Sequence, residues 1–315
     1  MNFLVTGGAG FIGSNLTNYL LQQGHCVAVI DDLSTGNLNN LKTSDLLSFI
    51  EGSVTDYDLM ETILSTHEFD YIFHLAAIAS VADSVLRPIE THEINFLSVM
   101  YILDLIKKHQ PNLKRLVFSS SAAVYGDDPQ LPKTEEMAIN PLTPYAVDKY
   151  AAEKILLNGT KLYGIKTSVV RFFNVYGPKQ NPTSEYSGVI SILLKKFNEA
   201  RNTPNISFDL FGDGNQTRDF VYVDDVIKGL ILVSEKAETV GHFYNIGTAV
   251  GTSLNEVISA LTELFQVSIN ITYRQARNGD IRHSRASIDK LNQLGFLPAY
   301  NITQGLTKLL KDKHS

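Results

Sequence analysis

The sequence contains no tryptophan and only one cysteine, Cys26, so an internal disulfide is impossible. A lone cysteine is typical of proteins in a reducing compartment, and we expect a cytoplasmic location. Charged residues are also few, at 19% of the chain, and the formal net charge is −6. A mildly acidic chain lacks the basic field that attracts nucleic acid or anionic membranes, so we expect neither partner.

Long apolar runs are absent as well, so the sequence predicts no membrane-spanning helix. Residues 1–5 lack a basic flank and lead directly into glycines, which favours a strand over a signal peptide. The eight histidines show no metal-ligand spacing, so we predict no metal site. With 315 residues, of which 44% are hydrophobic, the chain can form one large domain or two closely associated ones.

Short apolar segments alternate with helical patterns from the start of the chain. The predicted strands are 3–6, 26–30, 47–50, 71–75, 115–118 and 167–170, and the first predicted helix is 11–23. Continuous apolar strands separated by helices predict a parallel sheet that is covered on both faces. Right-handed connections then give a doubly wound α/β fold, a Rossmann domain over residues 1–175.

The composition of the sequence changes after about residue 175. Glycine, proline and asparagine concentrate at 176–182 and 212–215, between shorter predicted elements. We expect a smaller C-terminal α/β lobe over residues 176–315 that binds the substrate, with the site between the lobes. A predicted helix near 91–108 has apolar residues on two faces, so it is either deeply buried or packed against both the sheet and a partner subunit.

A glycine-rich turn follows the first predicted strand and opens the first helix, which is the context that a dinucleotide-binding fingerprint requires. Gly7 permits the tight turn, Gly10 lets a pyrophosphate approach the backbone, and Gly13 lets the helix pack on the strand. The first helical turn, with Phe11 and Ile12, offers N–H groups and a positive dipole end to the phosphates.

An acidic residue, Asp31, stands at the end of the second predicted strand, roughly 20 residues after the glycine-rich turn. A carboxylate there binds the adenosine ribose hydroxyls and repels a 2′-phosphate, so we expect NAD and not NADP. Asp32 is the alternative for this role, and a solvated turn acid is the competing interpretation.

A serine cluster at 119–121 follows the fifth predicted strand, where the carboxyl ends of parallel strands face the ligand crevice. Tyr145 and Lys149 lie four residues apart at the start of a predicted helix, so they share one face. We expect the lysine ammonium to lower the pKa of the tyrosine, which would then act as a base towards a hydroxyl group.

A second pair with the same spacing, Tyr150 and Lys154, lies five residues further on and about 140° around the helix. Only one pair can face the site. We choose Tyr145 and Lys149 because Pro144 places them in the first helical turn, and we expect the second pair to be structural or on the surface.

These motifs, taken in order, resemble an extended short-chain dehydrogenase/reductase of the UDP-glucose 4-epimerase kind. The segments that carry the resemblance are 6–13, 31–36, 74–77, 119–126, 145–149, 171–174, 214–220 and 277–284. They run almost from end to end of the chain and are more specific for the superfamily than for the substrate.

The resemblance implies a role for each matching residue. The implied catalytic residues are Ser121, Tyr145 and Lys149. The implied cofactor-binding residues, beyond the glycine-rich turn and the two acids, are Ser53, Val54, Leu75, Ala76, Ala77, Asn95, Tyr145 and Lys149. The implied substrate-binding residues are Ser80, Ser121, Asn174, Phe211, Arg218, Arg277, Asp280 and Ser284. Relatives commonly carry an aspartate where Ser53 stands, and Phe211 either stacks on a uracil or packs in the core.

The activity that the resemblance implies is a UDP-hexose 4-epimerase, which inverts C4 through a transient 4-keto sugar while NAD stays bound. Ala122 and Ala123 stand where related dehydratases carry an Asp-Glu pair, which argues against dehydration. The alternatives are a UDP-glucuronate epimerase or decarboxylase, and a non-catalytic NAD-binding regulator.

Two small residues favour a wider substrate range within the resemblance. Ser284 stands where glucose-restricted members have a tyrosine, and Ser80 follows Ala79, which replaces a lysine. We therefore expect UDP-GlcNAc and UDP-GalNAc to be accepted alongside UDP-Glc and UDP-Gal, unless Ser284 only caps a turn. The helices near 91–108 and 145–157 resemble a dimer-forming pair, so we expect a homodimer through a four-helix bundle.

Overall fold

The computed structural model describes residues 1–181, 188–203, 205–276 and 281–312. Its strands are β1 Asn2–Thr6, β2 Cys26–Asp31, β3 Leu47–Glu51, β4 Tyr71–His74, β5 Arg115–Ser121, β6 Thr167–Phe172, β7 Asn174–Tyr176, β8 Ser207–Phe211, β9 Thr217–Arg218, β10 Phe220–Tyr222, β11 His242–Ile246, β12 Thr252–Ser253 and β13 Asn270–Arg274. Its α-helices are α1 Phe11–Gln22, α2 Tyr57–Thr66, α3 Val81–Leu86, α4 Pro88–His92, α5 Ser98–His109, α6 Pro144–Tyr163, α7 Val189–Ala200, α8 Val223–Glu235, α9 Leu254–Phe265, α10 Asp289–Asn292 and α11 Ile302–Asp312.

Seven strands form one sheet in the order β11-β6-β5-β4-β1-β2-β3. The five pairs from β3 to β6 are all parallel. Leu4, Val29 and Ile72 of its central strands are fully buried, as expected for a parallel sheet that helices cover on both faces. The order of the first six strands reverses between β1 and β4, so the predicted doubly wound Rossmann sheet is confirmed.

Two compact units make up the chain. The first contains Met1–Gly126, Ala138–Phe172 and Ile227–Tyr244, and the second contains Asp127–Met137, Phe173–Val226 and Asn245–Ser315. The largest division, at 172/173, lies close to the single boundary expected after residue 175. Two short segments lie on the other side of this division in the chain: Asp127–Met137 belongs to the second unit and Ile227–Tyr244 to the first. No sequence pattern predicts either of them.

A buried arginine attaches one of these returning segments to the first unit. Arg115, only 3% exposed, donates from Nη1 to the carbonyl of Val233 and from Nη2 to the carbonyl of Lys236. The guanidinium therefore satisfies carbonyl groups at the C-terminal end of α8, which the helix itself leaves without partners. A sequence pattern does not show this contact because more than 100 residues separate the partners.

The second unit has its own apolar core around Tyr176, Leu193, Phe197, Val257 and Leu306. Three two-stranded pairings, β10-β7, β12-β9 and β13-β8, accompany helices α7, α9 and α11. This composition agrees with the smaller α/β lobe expected after residue 175. No helix among the residues that the structure describes has both the length and the apolar character that a membrane span requires.

The helix expected near 91–108 is longer and less regular than the pattern predicts. Helical structure runs from Pro88 to His109, and a π-helical segment, Glu93–Leu97, separates α4 from α5. A π-helical turn shifts the faces of the helix and is frequent at functional sites. Here it contains Asn95, which is one of the residues expected near the cofactor.

Candidate functional site

The glycine-rich turn between β1 and α1 has the geometry that its sequence predicts. Gly7 has a φ of +67°, and a Cβ there would lie 2.8 Å from the backbone of Ala76. A Cβ on Gly13 would lie 2.1 Å from the carbonyl oxygen of Gly7. Both positions therefore need glycine, the first for its φ and the second for the close approach of helix and turn.

The start of α1 fits a dinucleotide pyrophosphate. Gly10 is the N-cap and contributes no side chain, and Phe11 and Ile12 form the first turn of the helix together with Gly13. The N–H groups of a first helical turn have no partners within the helix. With no side chain at the N-cap to block them, they can donate to phosphate oxygens, so this turn fits NAD.

Asp31 is the better placed of the two candidate acids. It is 7% exposed, and its Oδ2 accepts the N–H of Ala9 at 2.9 Å while its Oδ1 accepts the N–H of Leu33 at 2.9 Å. A carboxylate can accept about four hydrogen bonds, so two remain for ribose hydroxyls. Asp32 is exposed and bonds its own turn through Ser34.

The remaining cofactor candidates lie on loops that follow β3 and β4, except for Asn95 in the π-helical segment. Ser53 bonds Thr55 at 2.8 Å, and Val54 is buried. Leu75, Ala76 and Ala77 follow β4 directly. Asn95 is 1% exposed, and its amide accepts the N–H of Ile78 at 2.9 Å and donates to the carbonyl of Ile78 at 3.0 Å. The Asn95 side chain thus fixes the loop after β4.

The serine cluster belongs to β5 itself, which corrects the expectation that it follows the strand. Ser119, Ser120 and Ser121 pair in parallel with 170–172 of β6. The sequence pattern ended the strand too early because serine shows no strand preference. Ser121 lies at the last position of β5, where its Oγ accepts the N–H of Ala123 at 3.1 Å.

Tyr145 lies in the first turn of α6, as the Pro144 signal predicts, and Thr143 is the N-cap. Its hydroxyl is hydrogen-bonded to Ser121. Lys149, four residues further on, is 2% exposed and donates from Nζ to the carbonyl of Ser119 at 2.8 Å. The structure therefore brings Ser121, Tyr145 and Lys149 together at the carboxyl end of β5.

The second tyrosine–lysine pair lies nearer the surface. The Nζ atom of Lys154 is 5.5 Å from the ring centroid of Tyr150, and Lys154 is exposed. This position agrees with the expectation of a structural or surface role.

Burial sets the charge state of the catalytic candidates. It raises the pKa of Tyr145, and the hydrogen bond with Ser121 opposes that rise. It lowers the pKa of Lys149 to about 7, against the smaller opposing effects of Asp148 and Glu153. The expectation that Lys149 lowers the pKa of Tyr145 is therefore wrong for this arrangement, because the lysine bonds the carbonyl of Ser119 and desolvation dominates.

A buried ion pair behind these residues is a feature that the sequence analysis missed. Arg171 on β6 donates from Nη2 to Glu153 on α6 at 2.6 Å and from Nε to the same carboxylate at 2.9 Å, with both side chains 1% exposed. Ser120 donates to Glu153 at 2.5 Å, and Arg171 donates to the Tyr125 hydroxyl at 3.0 Å. The pair thus fixes β5, β6 and α6 together, next to Ser121 and Tyr145.

The second unit contains the described candidates for nucleotide binding. Arg218 is half-buried in β9, Asn174 is exposed at the start of β7, and Phe211 is 37% exposed at the end of β8. Phe211 therefore does not pack in the core. Ser284 donates its N–H to the carbonyl of Thr217 at 3.1 Å, so it lies beside the segment that contains Arg218. Arg277 and Asp280 fall outside the described residues.

A fully buried acid, Asp219, organises this part of the second unit and was not anticipated. Its carboxylate accepts hydrogen bonds from the N–H and hydroxyl of Thr248, both at 2.7 Å, and from the N–H groups of Ala249 and Ala286. It follows Arg218 directly and bonds the segment that follows Ser284. The only signal in the sequence was its place within the 214–220 motif.

The chain matches the family described as "NAD dependent epimerase/dehydratase family" over residues 3–247. It belongs to that family. The prediction of an NAD-dependent epimerase is thereby confirmed, and the glycine-rich turn with Asp31 supplies a site that fits the cofactor. Among the described residues, no group of three or more histidine, cysteine, aspartate or glutamate side chains could hold a metal ion.

Similar proteins match this family member along almost their whole length. A UDP-glucose 4-epimerase from Mycolicibacterium smegmatis is 35% identical over 316 residues, covering 99% of this chain and 98% of the relative. The crystal structure of a UDP-glucose 4-epimerase from Thermotoga maritima with UDP-glucose has a TM-score of 0.91 at 36% identity, with complete coverage of both chains. A UDP-N-acetylglucosamine 4-epimerase from Methanobrevibacter ruminantium, in complex with UDP-N-acetylmuramic acid, has a TM-score of 0.91 at 33% identity, covering 99% of this chain and 98% of that one.

The lowered pKa of Lys149 predicts a specific dependence of stability on pH. In the unfolded chain the pKa is 10.5, whereas in the folded protein it is about 7, so the unfolded chain binds more protons between these values. The free energy of unfolding should therefore rise with pH from about 7 to about 10 more steeply in the unaltered protein than in Lys149→Met. Denaturant unfolding at a series of pH values measures this difference.

The matched control is Lys154→Met, which removes an exposed lysine from the same helix and should leave the slope unchanged. Parallel pH profiles for Lys149→Met and the unaltered protein would show that Lys149 does not lose its proton on folding.

Proposed function

We propose that this chain is a UDP-hexose 4-epimerase. The observation that supports this most directly is the hydrogen-bonded pair of Ser121 and Tyr145, with Lys149 buried at the same carboxyl end of β5. The names of the similar proteins point to the same reaction.

The chain's own residues supply the proton chemistry of the proposed reaction. NAD, which the glycine-rich turn and Asp31 would hold, would supply the nicotinamide as the acceptor and donor of the C4 hydride. Tyr145 takes the proton of the 4-hydroxyl, and Ser121 hydrogen-bonds the same oxygen. Burial opposes the phenolate form of Tyr145, which is the form that can act as a base. The hydrogen bond with Ser121 stabilises that form. Lys149, whose Nζ bonds the carbonyl of Ser119 at the same strand end, would hold the nicotinamide ribose.

The residues after Ser121 favour epimerisation over the rival reactions. Ala122 and Ala123 open a short 3₁₀ turn, Ala122–Tyr125, at the end of β5. Neither can donate or accept a proton, whereas loss of water from C5 and C6 needs an acid and a base near the sugar. The lack of an acidic residue directly after Ser121 also disfavours a UDP-glucuronate decarboxylase. A non-catalytic regulator would not need three catalytic candidates at one strand end.

The nucleotide part of the substrate is assigned to the second unit. Arg218 and Asn174 would bind the diphosphate, and the exposed ring of Phe211 would stack on the uracil. By resemblance, Arg277 would be a second ligand of the diphosphate, and Asp280 would bind the ribose of the nucleotide. In this arrangement the first unit binds NAD and the second binds the nucleotide sugar.

We propose that the sugar pocket also accepts an N-acetyl group at C2. Ser284 is half-buried, and its small side chain leaves room that a tyrosine would fill. Ser80 is the N-cap of α3, where its Oγ accepts the N–H of Asp83 at 2.9 Å, which leaves its hydroxyl hydrogen for an acetamide oxygen. The similar structure named a UDP-N-acetylglucosamine 4-epimerase supports this range.

A homodimer is proposed from the apolar surface of α4, α5 and α6. Ile89 on α4 is 76% exposed, Met100 on α5 is 38% exposed, and Val147 and Leu162 on α6 are 49% and 70% exposed. Large exposed apolar side chains on neighbouring helices mark an interaction site. Packing these helices against those of a second copy would form a four-helix bundle.

Removal of the Tyr145 hydroxyl tests the choice of base. Tyr145→Phe should lower kcat by roughly 10²–10⁴ because general-base catalysis is lost, while bound NAD is retained. The matched control is Tyr150→Phe, which removes a hydroxyl five residues away and should leave turnover near normal. Steady-state kinetics with UDP-galactose measure both, and the reverse pattern would assign the base to Tyr150.

Enlarging Ser284 tests the substrate range. Ser284→Tyr should lower kcat/KM for UDP-GlcNAc by about fivefold to about 150-fold, which corresponds to an overpacking cost of about 1–3 kcal/mol, and should spare UDP-Glc. Ser284→Ala keeps the side chain small and serves as the control. Equal losses for both substrates in Ser284→Tyr, or an unaltered protein without activity on UDP-GlcNAc, would contradict the proposed range.

The dimer is tested by light scattering at micromolar concentration. The mass should be twice that of the 34.9 kDa chain, and Ile89→Lys together with Val147→Lys should reduce it towards the monomer mass because charges oppose burial. A monomeric unaltered protein would rule out the bundle.

A further inference from the structure

His74, at the end of β4, is a buried histidine to which the proposed reaction assigns no role. It is 2% exposed, and both ring nitrogens have partners. Nδ1 lies 2.8 Å from the hydroxyl oxygen of Thr6, and Nε2 lies 3.2 Å from the hydroxyl oxygen of Ser98. The ring therefore connects the end of β1 with the start of α5.

The Thr6 end of this connection determines where one hydrogen lies. The Thr6 hydroxyl oxygen accepts the N–H of Ala76 at 3.2 Å and shares the N–H of Leu75 with the backbone carbonyl oxygen of Thr6, which lies at the same distance. A hydroxyl has two acceptor positions and one hydrogen to donate. Because its acceptor positions face these two N–H groups, the Thr6 hydroxyl donates its own hydrogen to Nδ1 of His74, and Nδ1 then carries no hydrogen.

The Ser98 end leads independently to the same tautomer. The Ser98 hydroxyl donates to the carbonyl of Ile94 at 2.5 Å, so its lone pairs face the ring. Nε2 must therefore carry the hydrogen and donate it to Ser98. A positive ring is disfavoured as well, because burial and the nearby Lys149 lower the pKa of His74 to about 3.

The segments that His74 connects are those that form the cofactor site. Thr6 precedes Gly7, and a Cβ on Gly7 would touch the backbone of Ala76, so the glycine-rich turn and the loop after β4 are in direct contact. On the other side, Ser98 bonds the π-helical segment that contains Asn95, and Asn95 bonds the same loop through Ile78.

We infer that His74 is a positioning residue for the cofactor: as the neutral tautomer with the hydrogen on Nε2, it fixes the glycine-rich turn, the loop 75–78 and the π-helical segment relative to one another. The effect on NAD rests on the proposed cofactor residues, whereas the tautomer stands on the hydrogen bonds alone.

The tautomer is measured by nitrogen NMR of the NAD-loaded protein with ¹⁵N-labelled histidine. The His74 signals are assigned by their loss in His74→Gln. We expect an unprotonated Nδ1 and a protonated Nε2, unchanged between about pH 8 and about pH 5, where an ordinary histidine titrates. A hydrogen on Nδ1, or titration near 6.5, would overturn the inference.

The positioning role is measured by NAD binding to two matched variants. Thr6→Val removes the hydroxyl that connects His74 with the loop after β4. Thr17→Val makes the same change at an equally buried threonine in α1, whose hydroxyl has no partner among the described residues. We expect the Kd for NAD, from calorimetry, to rise about tenfold in Thr6→Val, as for one lost buried hydrogen bond, and to stay unchanged in Thr17→Val.

The melting temperatures of the NAD-free variants show how far each substitution lowers the stability of the fold, and the rise in Kd is compared between the two variants with that loss taken into account. A Kd that does not change in Thr6→Val, or that rises equally in both variants, would overturn the positioning role. Neither measurement uses UDP-sugar, so failure of the proposed epimerase activity would be seen separately, as absence of turnover with intact NAD binding.

Discussion

The ion pair between Arg171 and Glu153 fixes the three elements that carry the proposed catalytic groups. Arg171 is on β6, Glu153 is on α6, and Ser120 of β5 donates to the same carboxylate. Breaking such a pair from one side leaves an uncompensated buried charge and typically costs about 3–5 kcal/mol. Aromatic rings also flank the guanidinium, with ring centroids at 4.9 Å for Tyr125 and 4.2 Å for Phe243. The positions of Ser121 and Tyr145 follow from this pair.

Polar groups organise both units where apolar packing alone would not define a unique arrangement. In the first unit, His74, Thr6 and Ser98 are buried with their hydrogen-bonding capacity used. In the second unit, Asp219 accepts four hydrogen bonds from three separate residues, and burial nevertheless raises its pKa. Buried polar groups of this kind are costly unless satisfied, so each specifies the loops that must satisfy it. Those loops contain or adjoin the proposed binding residues.

The sequence predicts the parts of the fold that depend on local pattern. The alternation of apolar strands and helices predicts the doubly wound sheet, and the glycine-rich turn predicts its first connection because only glycine fits at Gly7 and Gly13. The pattern does not predict features that depend on contacts between residues distant in sequence. It ended β5 before Ser119, and it gave no sign that Arg115 attaches 227–244 to the first unit.

The charge states at the site could not be predicted for the same reason. The spacing of Tyr145 and Lys149 places both on one helical face, but it does not show that Lys149 bonds the carbonyl of Ser119 or that both side chains are buried. Burial opposes the charged form of each group, and its extent depends on elements distant in sequence. The roles of Glu153 and Asp219 likewise depend on partners that no local motif reveals.

The proposed epimerisation requires the hydride to leave C4 and to return to the same carbon within one binding event. Incubating the NAD-loaded protein with UDP-glucose that carries deuterium at C4, and analysing the product by mass spectrometry and NMR, tests this requirement. We expect UDP-galactose with the deuterium retained at C4, no release of reduced cofactor and no exchange with solvent. Loss of the label to solvent, release of labelled reduced cofactor, or a product that lacks the 6-hydroxyl would contradict it.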